Sequence, residues 1–96
     1  MANATTTRAS QDATIPNPLG LHARPAAALA QLVSSLPSTV SLQTDTRIVN
    51  AASVLGIIAS SIGQGDNVTV ICEGDYAERD LAAVLSAIES GLGEQV

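Results

Sequence analysis

The amino-acid sequence predicts an α+β sandwich, one sheet covered on one face by helices. Three observations carry this. Short stretches alternate apolar and polar residues, and longer ones repeat apolar residues with the helical period. The two kinds are interleaved in the order strand, helix, strand, strand, helix, strand, helix. At 96 residues the chain is one small domain with no room for a second core, and it contains no internal repeat.

Residues 1–11 are rich in Thr, Ala, Ser and Asn and read as a flexible N-terminal tail or linker, which leaves 12–96 as the folded domain. Ala13 and Ile15 alternate with Asp12 and Thr14, a strand, and Asn17-Pro18-Leu19-Gly20 follows as a turn. A helix is expected from Ala23. Leu29, Leu32, Val33 and Leu36 form its buried stripe, Pro25 lies in the first turn where a missing N–H costs nothing, and Pro37 stops it. Val40 and Leu42 alternate with Thr39, Ser41 and Gln43. Asp45-Thr46 then turns the chain into a short return strand at Ile48-Val49, a hairpin.

Residues 51–59 form an apolar helical stretch, broken by Gly63-Gln64-Gly65-Asp66. Val68, Val70 and Cys72 alternate with Thr69 and Ile71 as a further strand. The last helix is expected to start near Asp75, with Glu78 completing a capping box. Its stripe is Leu81, Val84, Leu85, Ile88 and Leu92, and Gly91 and Gly93 mark where it frays.

Composition removes several function classes. Charged residues make up 14% of the chain, against roughly 25% in an average soluble protein. The net charge is −5 and no lysine is present, so the chain lacks the basic face that nucleic acid or an anionic membrane requires. With one aromatic residue, Tyr76, the core must be Leu, Ile, Val and Ala. The lone Cys72 cannot form an internal disulfide and reads as a small buried hydrophobe, consistent with a reducing compartment. No signal peptide and no membrane-spanning run is apparent. The expectation is a cytoplasmic monomer, inserted in no membrane.

The segment "LGLHARPAAA" places the only histidine, His22, and a guanidinium, Arg24, at a predicted helix start. Such a start leaves backbone N–H groups unpartnered and carries about half a positive charge. It is an anion site before any side chain is added. His22 at the cap would hold a ring nitrogen near those N–H groups, and Arg24 adds a planar donor fork suited to phosphate oxygens. A cap residue is the simpler reading of the pair taken alone. Catalytic turnover finds no acid–base partner for His22 in the segment. Metal binding fails on ligand count, so neither a metal nor a cofactor is expected.

"IPNPLGLHARPAAALA" resembles the active-site segment of the histidine-containing phosphocarrier (HPr) family of the bacterial phosphoenolpyruvate-dependent sugar phosphotransferase system. Gly20-Leu21-His22-Ala23-Arg24-Pro25-Ala26 matches its motif without a substitution. Val49-Asn50-Ala51-Ala52-Ser53-Val54-Leu55-Gly56 is similar to its second signature, and "IGQGDNVTVICEG" to its last strand. The resemblance implies an open-faced β-sandwich, a four-stranded antiparallel sheet covered on one face by three helices. It implies that His22 accepts a phosphoryl group on Nδ1 from Enzyme I and passes it to an EIIA component of a sugar permease or a dihydroxyacetone kinase complex. Ala23 and Arg24 would hold the phosphoryl oxygens. Such a protein is a carrier modified on histidine, not an enzyme with turnover of its own.

Ser53 occupies the family's regulatory phosphorylation position, although a serine at a helix start also caps backbone N–H groups. Leu55 and Ile58 are expected to form a partner-docking patch. The chain departs from the family where lysines often surround the histidine: Gln31, Ser34 and Gly56 stand there. Only Arg24 and Arg47 remain for electrostatic steering. Two alternatives follow. The chain could be a domain of a larger multiphosphoryl transfer protein, in a dihydroxyacetone kinase or fused fructose system, where tethering replaces steering. It could also be a regulatory binding module acting through the Ser53 face.

Overall fold

The structure, a computed structural model, describes residues 7–96. Its elements are β1 (Arg8–Thr14), α1 (Ala23–Ser34), β2 (Thr39–Gln43), β3 (Ile48–Asn50), α2 (Val54–Ala59), β4 (Asn67–Glu73) and α3 (Ala77–Glu89). The strands form one four-stranded sheet in the order β1-β4-β2-β3, with every neighbouring pair antiparallel. β1 and β2 therefore run in the same direction, with β4 between them. The last strand in the chain becomes a central strand of the sheet.

Val40 and Leu42 of β2 and Val68, Val70 and Cys72 of β4 point to the helices and are buried, as period-two alternation requires. Against them pack Ala26, Leu29 and Val33 of α1, Ile57 of α2, and Ala77, Leu81, Val84 and Ile88 of α3. Ile71 breaks the simple alternation. It points to the open face yet is only 4% exposed, because it lies on a central strand between Ser10 and Ser41.

Three expectations need correction. The strand expected around Ala13 begins at Arg8, so residues 8–11 belong to the sheet and not to the tail; residues 1–6 lie outside the described residues. β1 is hard to see in the sequence because its inward positions carry Ala9 and Ala13 instead of branched residues. Its order comes from a seven-residue ladder with β4, Ala9 opposite Cys72 and Ala13 opposite Val68. The helix expected over 51–59 is shorter, starting at Val54, because Ser53 caps it. The α3 capping box does not form. Gly74, at φ +144°, turns the chain, its carbonyl accepts the Ala77 N–H, and Tyr76 takes the cap position without a side-chain bond.

Asp80 is fully buried at the base of α3. It accepts hydrogen bonds from the Ser38 hydroxyl (2.5 Å) and the Ser38 N–H (3.1 Å), tying α3 to the start of β2. The Arg79 guanidinium, stacked 4.2 Å above the Tyr76 ring, donates to its other oxygen at 3.1 Å. The Ser38 hydroxyl, then Arg79 and the Ser38 N–H, outweigh burial and hold the Asp80 carboxyl below the usual aspartate range. Burial, then the Asp80 charge, pushes the Cys72 thiol up, so the thiol is protonated and unreactive at neutral pH.

Asp80→Ala leaves two Ser38 donors unpaired and should cost about 2 kcal/mol in a urea titration. Arg79 adds little to this because its side chain is 61% exposed. A carboxyl depressed in the folded state contributes stability above its unfolded value, about 4, and that stability disappears as pH falls through the lower folded value. The wild-type acid limb should accordingly steepen below about pH 4, and in Asp80→Asn it should flatten. Parallel acid limbs would mean that Asp80 is not the group responsible.

Candidate functional site

The approach to α1 is built from a turn and a close backbone contact. The Asn17 carbonyl accepts the Gly20 N–H at 2.9 Å, with Pro18 supplying its preset φ at the second turn position. Gly20 sits at φ +69° against the Ile62 carbonyl, where a Cβ would collide with that oxygen and with the Gly63 Cα. One residue on, the Leu21 N–H donates to the Ile62 carbonyl at 2.9 Å, and the Leu21 side chain is buried. His22 emerges from this anchored segment as the N-cap of α1, in extended conformation.

Its ring does not cap the helix; no side-chain capping bond is made. Nε2 instead lies 2.8 Å from Oε2 of Glu94, a residue that local sequence reasoning did not single out. Glu94 is delivered by the end of α3. The Leu92 N–H donates to the Ala87 carbonyl and the Gly91 N–H to the Ile88 carbonyl, the paired bonds of a Schellman motif. Gly91, Leu92 and Gly93 all have left-handed φ, at 92°, 53° and 88°. They turn the chain back over the start of α1, with Leu92 buried as the anchor. What reads in sequence as a fraying end is an ordered strap.

The Glu94 carboxylate accepts a second bond from Asn17 Nδ2 at 2.7 Å. That bond, followed by the bond to His22 and the His22 and Arg24 charges, prevails over burial and holds the Glu94 carboxyl below the ordinary glutamate range. An ionised carboxylate only accepts hydrogen bonds. His22 Nε2 therefore carries the hydrogen, and in the neutral ring Nδ1 keeps a free lone pair. In that tautomer the ring's available lone pair is on Nδ1.

The surroundings suit an anion. The N–H groups of Ala23 and Arg24 open α1, no acidic residue occupies its first turn, and the first in-helix bond runs from the Ala26 N–H to the His22 carbonyl. The exposed Arg24 side chain makes no ion pair or hydrogen bond among the described residues. It borders a groove of about 400 Å³ with Pro18, Leu19, Gly93, Glu94 and Gln95. On the other side, a depression of about 300 Å³ is lined by Leu19, His22, Ile58 and Ile62 among others. Leu19 is 78% exposed and Leu55, one turn before Ile58 on α2, is 80% exposed. Ser53 is the N-cap of α2, its hydroxyl accepting the Gly56 N–H at 3.0 Å.

The family model of the PTS HPr component phosphorylation site matches residues 9–90, which include Asn17, His22, Arg24 and Ser53 and end before the strap that carries Glu94. The chain belongs to the HPr family. It is 37% identical over 84 residues to the phosphocarrier protein HPr of Cupriavidus necator, covering 88% of this chain and 94% of that one. It is 38% identical over 86 residues to a multiphosphoryl transfer protein of Haemophilus influenzae, of which it spans 17% of the length. Among solved structures, an HPr from Thermoanaerobacter tengcongensis superimposes with a TM-score of 0.85 at 38% identity, covering 92% of this chain and 99% of that one. The open-faced sheet with three helices is the HPr fold. The chain is an HPr-type phosphocarrier of the phosphotransferase system. No helix among its described residues is long and apolar enough to cross a membrane.

Proposed function

We propose that this chain takes a phosphoryl group from a phosphohistidine of Enzyme I onto His22 Nδ1 and passes it to an EIIA component, without turnover of its own and in the cytoplasm. The observation that carries the reading is the Nε2–Glu94 bond, which commits the ring to the tautomer with a free Nδ1. The Nδ1 lone pair forms the new P–N bond while the donor's P–N bond breaks and its electron pair returns to the donor imidazole. The proton on Nε2 stays in place. Glu94 balances the positive charge that the phosphorylated ring acquires, and the Ala23 and Arg24 N–H groups with the Arg24 guanidinium meet the phosphoryl oxygens. The test is incubation with phosphoenolpyruvate and Enzyme I, followed by mass spectrometry: one acid-labile phosphoryl group is expected.

Charge and geometry separate at Arg24. Arg24→Ala should slow transfer roughly 100-fold, the usual cost of one transition-state donor. Arg24→Lys should fall between it and wild type, keeping charge without the fork. Equal rates in all three proteins would show that Arg24 does not touch the phosphoryl group.

Docking rests on Leu19, Leu55 and Ile58, because no lysine surrounds the site. Transfer from Enzyme I should change little across a salt series, since few charges are available to screen. Leu55→Asp, still folded by circular dichroism, should slow transfer markedly. A steep salt response together with wild-type rates in that variant would assign docking to Arg24 and Arg47 instead. The relation to the Haemophilus influenzae multiphosphoryl transfer protein favours a second arrangement, in which the same domain works tethered in a longer chain.

A further inference from the structure

We infer that Asn17 is a positioning residue for this site: its side-chain amide, locked by the Gly91 carbonyl, orients Glu94 and through it selects the His22 tautomer. The inference deepens the proposed role of His22 Nδ1 and rests on that reading for its functional consequence. Asn17 is fully buried. Its Nδ2 donates to the Gly91 carbonyl at 2.9 Å and to Glu94 Oε1 at 2.7 Å, and Glu94 Oε2 faces His22 Nε2 at 2.8 Å. Both N–H groups of the amide are engaged by acceptors. Rotating the amide by half a turn would set Oδ1 against a carbonyl and a carboxylate oxygen, so the orientation has one solution.

The polarity then propagates. Asn17 donates to Oε1 and so keeps Oε2 of the ionised carboxylate against the ring, and His22 must meet that oxygen with N–H from Nε2. The fixed end of this chain is the Gly91 carbonyl, held by the Schellman turn, while Asn17 begins the turn that leads into His22. One side chain thus joins the segment before the histidine to the strap after α3. The amide is not there for its own satisfaction, because Asn17 Oδ1 is buried with no partner among the described residues, a costly state. The other charge near Glu94 is Arg24, whose attraction acts on the carboxylate without choosing which oxygen faces the ring.

Glu94→Gln gives a discriminating test. With Asn17 in place, the glutamine oxygen must face the Asn17 amide, so its NH₂ faces His22 Nε2. A ring nitrogen that must accept is unprotonated, and the hydrogen moves to Nδ1. Without the Asn17 lock, the glutamine can turn and offer its oxygen to Nε2–H, as Glu94 does.

The ring-nitrogen chemical shifts of ¹⁵N-labelled His22, read in the neutral, unphosphorylated protein, report the tautomer directly. Wild type is expected to be mainly Nε2–H, and Glu94→Gln mainly Nδ1–H, each by roughly tenfold, the worth of one hydrogen bond. Adding Asn17→Ala to Glu94→Gln should abolish the inversion and restore part of the transfer rate from Enzyme I lost in the single variant. A structural role alone would give neither inversion nor rescue.

Glu94→Gln that keeps the wild-type tautomer overturns the inference, and that single variant suffices because Glu94 packs in no core. So does an inversion that persists without Asn17. If the tautomers behave as expected but wild-type protein takes no phosphoryl group, the lock stands and the phosphocarrier role of His22 fails.

Discussion

His22→Ala should take no phosphoryl group from Enzyme I while keeping its fold. The imidazole is the only one in the chain, and on the proposed reading its Nδ1 is the phosphoryl acceptor. The ring makes no capping bond to α1, so no cap is lost with it. Circular dichroism and a cooperative melt close to wild type are expected, together with complete loss of acid-labile phosphate. Retained acid-labile phosphate in the variant would move the acceptor to another residue.

Gly20→Ala should damage both stability and site. At φ +69° an alanine pays the left-handed penalty, and its Cβ meets backbone atoms of Ile62 and Gly63 that cannot swing aside as a side chain would. The two effects together are about 3 kcal/mol, a large fraction of a small domain's stability. The Leu21–Ile62 bond lies next in the chain, so the shift needed to relieve the clash also displaces His22. Urea denaturation should show the loss, and the fraction that remains folded should accept phosphate more slowly. A variant as stable as wild type would mean that the approach to α1 tolerates other geometries.

Much of this was legible in sequence because the carrying signals are local. The two-residue period of residues 39–43 and 67–73 and the helical stripes of α1 and α3 each specify a face, and burial follows them. His22 and Arg24 lie in one motif two residues apart. What escaped depends on distant parts of the chain meeting. β1 begins four residues before the expected domain start of 12, because its alanines owe their order to β4. Glu94 lies 72 residues from His22 and 77 from Asn17, so no spacing rule joins them. The one local hint was Gly91 beside Gly93. A glycine at the end of an amphipathic helix, followed by an apolar residue, also describes a Schellman turn that sends the chain back across the fold.

The central claim is that Glu94 holds Nε2 and leaves Nδ1 to react. The most direct measurement is to phosphorylate ¹⁵N-histidine-labelled protein with Enzyme I and phosphoenolpyruvate, then read which ring nitrogen of His22 shows one-bond coupling to ³¹P. The structure predicts coupling at Nδ1, with Nε2 still protonated and hydrogen-bonded to Glu94. Coupling at Nε2 would mean that the Glu94 contact breaks before transfer, and would contradict the account.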